Sequence, residues 1–346
     1  MSAVGSKPPY TIDDDPETAI EPDLLICDAH HHLWGPDGLI PYSVADFARD
    51  TSAGHRIETS MYLEFDQGYR DDGPVEFRPV GETELAARFA ENSRDAGGAE
   101  VVGIIPFIDP RIGDATDEVA AAHIDAGKGL VRGFRARVGY DPKRIYIPEG
   151  HAQWPGQMAD AGFRRGVQQL GRRNLPLDLL LYHSQLEELR DLIKASPDTV
   201  FVINHLAFPI LIGGYGERPD EVFANWRAGL DDLAELPNVI MKIGGFGMRL
   251  FGHGWTERDH PATSDEIVER IAPWVEYAIE TFGPSRSIFE SNFPVDGWAF
   301  GYVTLWNAFK KLSASYSADE RAALFRETAV RTYGLPALVD SGVSYE

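Results

Sequence analysis

The chain has 346 residues, 43% hydrophobic and 25% charged, with one cysteine, 34 glycines and 23 prolines. This globular composition excludes collagen-like, disordered and disulfide-stapled classes. A formal net charge of −22 repels phosphate backbones and anionic lipid faces, so neither a nucleic acid nor a membrane is an expected partner. The lone Cys27 has no intrachain partner, and no apolar run reaches the ~18 residues of a membrane span. The first residues lack the apolar core of a signal peptide, so a cytoplasmic location is expected.

Residues 1–22, rich in Ser, Pro and acidic side chains, read as a flexible arm, because they bury too little apolar surface to offset the entropy of ordering. Residues 23–346 read as one domain. Segments 24–29, 57–63, 101–107, 130–137, 177–182, 200–204, 239–243 and 287–290 are short apolar runs such as LDLLLY and TVFVIN, the pattern of parallel strands buried on both faces. Helices fall between them, over 81–96, 156–172, 219–235 and 303–313. Three further helices begin at Ser184, Thr263 and Ser317, each with a Glu three residues on that completes a capping box. Eight strands with interleaved helices predict an α/β fold, a closed (β/α)8 TIM barrel that leaves no sheet edge. Two long connections, 35–55 and 244–261, are expected over the C-terminal mouth of the barrel.

The chemistry gathers at strand ends. In Asp28-Ala29-His30-His31-His32-Leu33-Trp34 strand alternation sends His30 and His32 to one side and His31 to the other, a spacing at which two imidazoles grip one divalent cation. His183 ends LDLLLY and His205 ends TVFVIN, both where a barrel strand reaches its mouth. Convergence of these histidines on one axial pocket is what a metal or general-base site requires. Glu290 lies two residues before Asn292 and on the same side by alternation; its carboxylate either reaches the pocket or pairs with a cation such as Lys242. Arg135 and Lys242 would offer charge-assisted hydrogen bonds to a substrate carboxylate or an oxyanion. Arg137 reads as a structural partner of an acid, with Asp141 near in sequence, and Glu64 and Asp66 read as solvated loop carboxylates. Gly244, Gly245 and Gly247 read as room for backbone to approach substrate. Trp34, Phe293, Trp298, Tyr62 and Phe246 are candidate pocket walls.

DAHHHLW, Tyr182-His183, VINHL at 202–206 and FESNFPVD at 289–296 together resemble the amidohydrolase superfamily, in particular its amidohydrolase-related lactonases and decarboxylases, which include sugar-acid lactonases and pyrone dicarboxylate lactonase. The resemblance covers roughly residues 24–336. It implies a distorted TIM barrel with metal-binding histidines at His30, His32 and His183, a further histidine at His205, and an Asp after the eighth strand. This chain carries Asn292 at that last position. A neutral amide neither holds a metal well nor accepts a proton. One divalent cation, zinc or manganese, is therefore expected alongside a metal-free alternative.

The resulting expectation is a hydrolase that opens a lactone carrying an acidic or oxygenated ring. His205, His183, Glu290 and Asn292 would stand at the reacting centre, and Arg135, Lys242, Trp34 and Phe293 would hold a small-molecule substrate. Two other readings are a non-oxidative decarboxylase or hydratase of an aromatic or unsaturated acid, and a binding protein without turnover. Barrels of this type often pair, so a homodimer is expected.

Overall fold

The structure, a computed structural model, describes residues 9–35, 38, 40–143 and 154–336. All eight expected strands are present: β1 (Leu25–His31), β2 (Arg56–Leu63), β3 (Glu100–Ile105), β4 (Phe134–Arg137), β5 (Leu177–Leu180), β6 (Phe201–Ile203), β7 (Val239–Ile243) and β8 (Ser287–Phe289). They pair in parallel and in chain order, β1 to β3 in one run and β4 to β8 in another. Short seams join the two runs. Ile104 N–H donates to Leu130 O at 2.8 Å and Arg135 N–H to Pro106 O at 2.8 Å, while Asn292 N–H donates to His30 O and His32 N–H to Phe293 O, each at 2.8 Å. The sheet therefore closes into a TIM barrel, and its β8–β1 seam runs through the histidine segment itself.

Helices cover the outside: α1 (Val44–Thr51), α2 (Val80–Ala96), α3 (Thr116–Ala126), α4 (Ala161–Arg172), α5 (Leu186–Ala195), a single turn α6 (Gly213–Gly216), α7 (Pro219–Ala234), α8 (Ser264–Phe282), α9 (Tyr302–Leu312), α10 (Ala318–Ala322) and α11 (Thr328–Tyr333). Connection 35–55 contains α1, which its own Ser43–Asp46 capping box starts. Connection 244–261 carries two 3₁₀ turns. The boxes at Thr263 and Ser317 form. The one expected at Ser184 does not: α5 starts at Leu186 after a 3₁₀ turn. Gln185 takes up the local polar groups instead, accepting from Tyr140 N–H at 2.8 Å and donating to Val138 O at 2.9 Å.

One apolar cluster lies between strands and helices. A second collects Cys27, Met61, Val102, Val202, Ile240 and Ile288 from six strands and is closed by Ala329, Tyr333 and Leu335 at the C-terminal end of the described chain. The described part of segment 1–22 makes specific contacts despite its polar composition. Asp15 accepts from Thr304 N–H at 3.1 Å and from Thr304 Oγ1 at 2.6 Å, and Ile20 N–H donates to Asn307 at 2.9 Å. Hydrogen bonds to the first turns of α9, rather than apolar burial, hold it there. Among the described residues no helix is long and apolar enough to cross a membrane.

Candidate active site

Glu290, one residue past β8, is completely buried. Its Oε2 lies 2.7 Å from His30 Nδ1 and its Oε1 2.7 Å from His205 Nδ1. Lys242 is 3.8 Å away, and is itself spent on Asp178 at 2.9 Å and on Ala29 O at 2.8 Å. Asp178 also accepts from Asn204 and Tyr333, both at 2.8 Å. This saturated network forms a floor, so Lys242 is a buried ion-pair partner and does not line the cavity. The glycines after β7 give room to side chains rather than to substrate: a Cβ on Gly244 would sit 2.5 Å from Glu290 Cγ, and one on Gly245 (φ +74°) 2.7 Å from the His205 ring.

His205 owes its position to an unusual turn. His205, Leu206, Ala207 and Phe208 all have left-handed φ values, 51°, 56°, 57° and 36°. For non-glycine residues this costs roughly 1–2 kcal/mol each, so neighbours must hold the turn in place. Trp226 Nε1 donates to Leu206 O at 2.7 Å, and His183 N–H donates to Phe208 O at 3.4 Å. The His183 ring accepts from Ile210 N–H at 3.3 Å and meets Tyr215 edge-on. His183 thus supports the His205 turn and is not brought into the cluster of His30, His205 and Glu290.

The first strand keeps its alternation through a register shift against β2 between Asp28 and His31. His31 stacks on Phe47 at 4.1 Å, while the Nε2 atoms of His30 and His32 face each other at 3.3 Å. His32 Nδ1 is hydrogen-bonded to Leu63 O at 2.9 Å; a carbonyl only accepts, so Nδ1 carries the proton and Nε2 presents its lone pair. Burial, then the neighbouring His205, holds His30 well below the usual imidazole range, and burial, then Arg135, does the same to His32. Both rings are neutral at pH 7.

These residues fit a divalent cation. His30 Nδ1, His205 Nδ1 and Glu290 Oε2 are buried without a hydrogen-bond partner. One nitrogen from each imidazole and one carboxylate oxygen lie within 4.8 Å of one another. Neutral imidazoles and a carboxylate are an appropriate donor set for zinc or manganese.

A cavity lined in part by His205 opens above this cluster. His32, His205, Asn292, Arg135 and Arg137 supply its polar wall. Arg135 donates to Glu64 Oε1 at 2.7 Å and to Glu64 O at 2.6 Å, and its Nη1 comes within 3.4 Å of His30 Nε2. Arg137 pairs with Glu64 and Asp66, not with Asp141. Glu64 is fully buried, which corrects its reading as a solvated acid: the two guanidiniums that satisfy it come from β4, far away in sequence. Asn292 donates to Asp296 Oδ1 at 2.8 Å, and Gly247 N–H donates to Asp296 Oδ2 at 3.1 Å. Burial pushes the Asp296 carboxyl up to about 8. Sequence reasoning missed Asp296 and Asp178 as parts of this surround. Trp34 packs on His32 and Phe65 at ring distances of 5.4 and 5.1 Å, beside the cavity, while Phe293 packs edge-on against Tyr302 at 5.0 Å.

Comparison with known proteins agrees with this architecture. Residues 27–335 match the amidohydrolase family. Protein y4mH of Sinorhizobium fredii is 31% identical over 90% of this chain and 99% of its own length. An L-fucono-1,5-lactonase of Burkholderia multivorans is 32% identical over 53% of this chain and 59% of its own length. Among solved structures, an amidohydrolase of Burkholderia multivorans, seen once with bound HEPES and once with bound zinc, covers 90% of this chain and all of its own, with TM-scores of 0.66 and 0.62 and identities of 24% and 23%. That likeness is one of fold. The family match spans nearly the whole barrel, and the chain belongs to the amidohydrolases.

Proposed function

We propose that this hydrolase opens a lactone, with His205 as general base and Glu290 as its orienting carboxylate. The observation that carries the reading is the His205–Glu290 pair at 2.7 Å at the base of the cavity. With Nδ1 turned to Glu290, His205 Nε2 is the nitrogen left to face a bound molecule. It takes a proton from water as the water oxygen bonds to the acyl carbon. The ring C–O bond then breaks, and the same proton passes to the departing alkoxide, giving the open hydroxy acid. Glu290 steadies the imidazolium formed between the two transfers. Neutral His32 lines the same cavity.

When a divalent metal is bound, His30, His205 and Glu290 would be the residues that hold it, and His205 would then be a ligand and not the base. Bound there, zinc or manganese polarises a carbonyl and lowers the pKa of water to ~7. The likeness to an L-fucono-1,5-lactonase over half the chain supports ester chemistry. A cyclic ester is also within reach of a His–Glu pair without the Asp that Asn292 replaces.

The test is lactone hydrolysis by the purified parent, His205→Ala and His30→Ala proteins, with elemental analysis and chelation of each. Positioned proton transfer contributes ~10²–10⁴ in rate, so His205→Ala is expected to lose at least 100-fold in kcat/KM. Full activity in both variants would contradict the scheme.

A further inference from the structure

The cavity carries two features that bear on which lactone enters it. Beside its five charged or amide and imidazole side chains, the described wall is built from Phe65, Leu180, Tyr182, Phe208, Met248, Leu250 and Val295, apolar except for the Tyr182 hydroxyl. The cations of the wall are already neutralised. Arg135 and Arg137 face Glu64 and Asp66, two positive charges against two negative ones. Lys242, the other cation of the site's surround, is buried on Asp178. Among the described residues no uncompensated cation faces the cavity.

We infer that the substrate class is an uncharged lactone with an apolar or aromatic body, not a polyhydroxylated sugar lactone and not a di-acid. This rests on the lactone-opening reading above. A ring hydroxyl placed against Leu180, Met248 and Leu250 would lose its water without gaining a partner, and an unpaired buried hydroxyl is strongly disfavoured. A carboxylate there would be worse, since a buried charge needs a counter-charge that Glu64 and Asp66 have already taken. An alkyl or aryl body gains what those groups lose, because each methylene moved out of water onto the wall strengthens binding.

The experiment compares kcat/KM for δ-decalactone and dihydrocoumarin with that for D-glucono-1,5-lactone and for a pyrone dicarboxylate, using the full-length protein. The apolar lactones are expected to exceed the other two by at least tenfold. Met248→Gln, on a part-exposed stretch of the wall, is expected to lower the ratio of apolar to polyhydroxylated turnover at least threefold. A tenfold preference for gluconolactone or the dicarboxylate would overturn the inference and leave the lactonase reading standing. If no lactone is opened, that reading falls, and the wall is then judged by binding. Thermal protection by δ-decalactone but not by gluconolactone supports the inference; equal or reversed protection overturns it.

Discussion

At the scale of single residues, the site depends on where burial places protons. Asn292 donates to a carboxyl whose pKa is pushed up to about 8 by burial. Asn292→Asp would set a second carboxyl 2.8 Å from the first, and the pair would keep a proton that the unfolded chain releases near pH 4. The folded state then binds more protons than the unfolded one, so stability falls as pH rises. We expect thermal denaturation to show Asn292→Asp losing ground to the parent above about pH 8, where the parent's single carboxyl has released the proton that the pair still keeps, with no gain in activity. A variant that loses no ground to the parent above that pH would refute this proton placement. His30 and His32 were legible in the sequence because strand alternation is a property of backbone geometry alone. Glu64 was not, because its two arginine partners are more than 70 positions away. The left-handed turn from His205 to Phe208 was also hidden, since neither glycine nor asparagine marks it.

At the scale of elements, all eight strands were legible as apolar runs, whereas their ends shifted with local chemistry. The segment 130–137 yields a strand only from Phe134; its first half meets β3 through one isolated bridge, Val131 to Ile104. The box expected at Ser184 gave way to Gln185, whose longer side chain spans two strand ends. The N-terminal segment was misjudged by composition, because a few charged groups satisfied by another helix's free N–H donors need no apolar area. Asp15 acts on α9 as a cap supplied from a distance. Asp15→Ala is expected to cost about 1 kcal/mol, read as a lower denaturant midpoint at unchanged slope. An unchanged midpoint would mean that the segment adds nothing to the barrel.

At the scale of the whole molecule, buried neutral histidines set the acid limit of stability. Burial lowers His55 to about 4, His123 to about 3 and His183 to about 4. Unfolding lets each take up a proton near pH 6.5, so this part of the stability is complete above that pH and lost below it, at up to about 1.4 kcal/mol per pH unit for each histidine. Melting temperature is therefore expected to fall steeply from pH 6.5 towards 4, and a flat profile there would contradict the burial of these rings. The β8–β1 seam runs through His30, His32 and Asn292, so barrel closure and site assembly are one event.

The most direct measurement is the pH dependence of kcat/KM for lactone opening in the parent, His205→Ala and Glu290→Gln proteins. Across the range the parent should exceed His205→Ala at least 100-fold, with Glu290→Gln lowered in the same direction. Three superimposable profiles would show that the His205–Glu290 pair takes no part in the reaction.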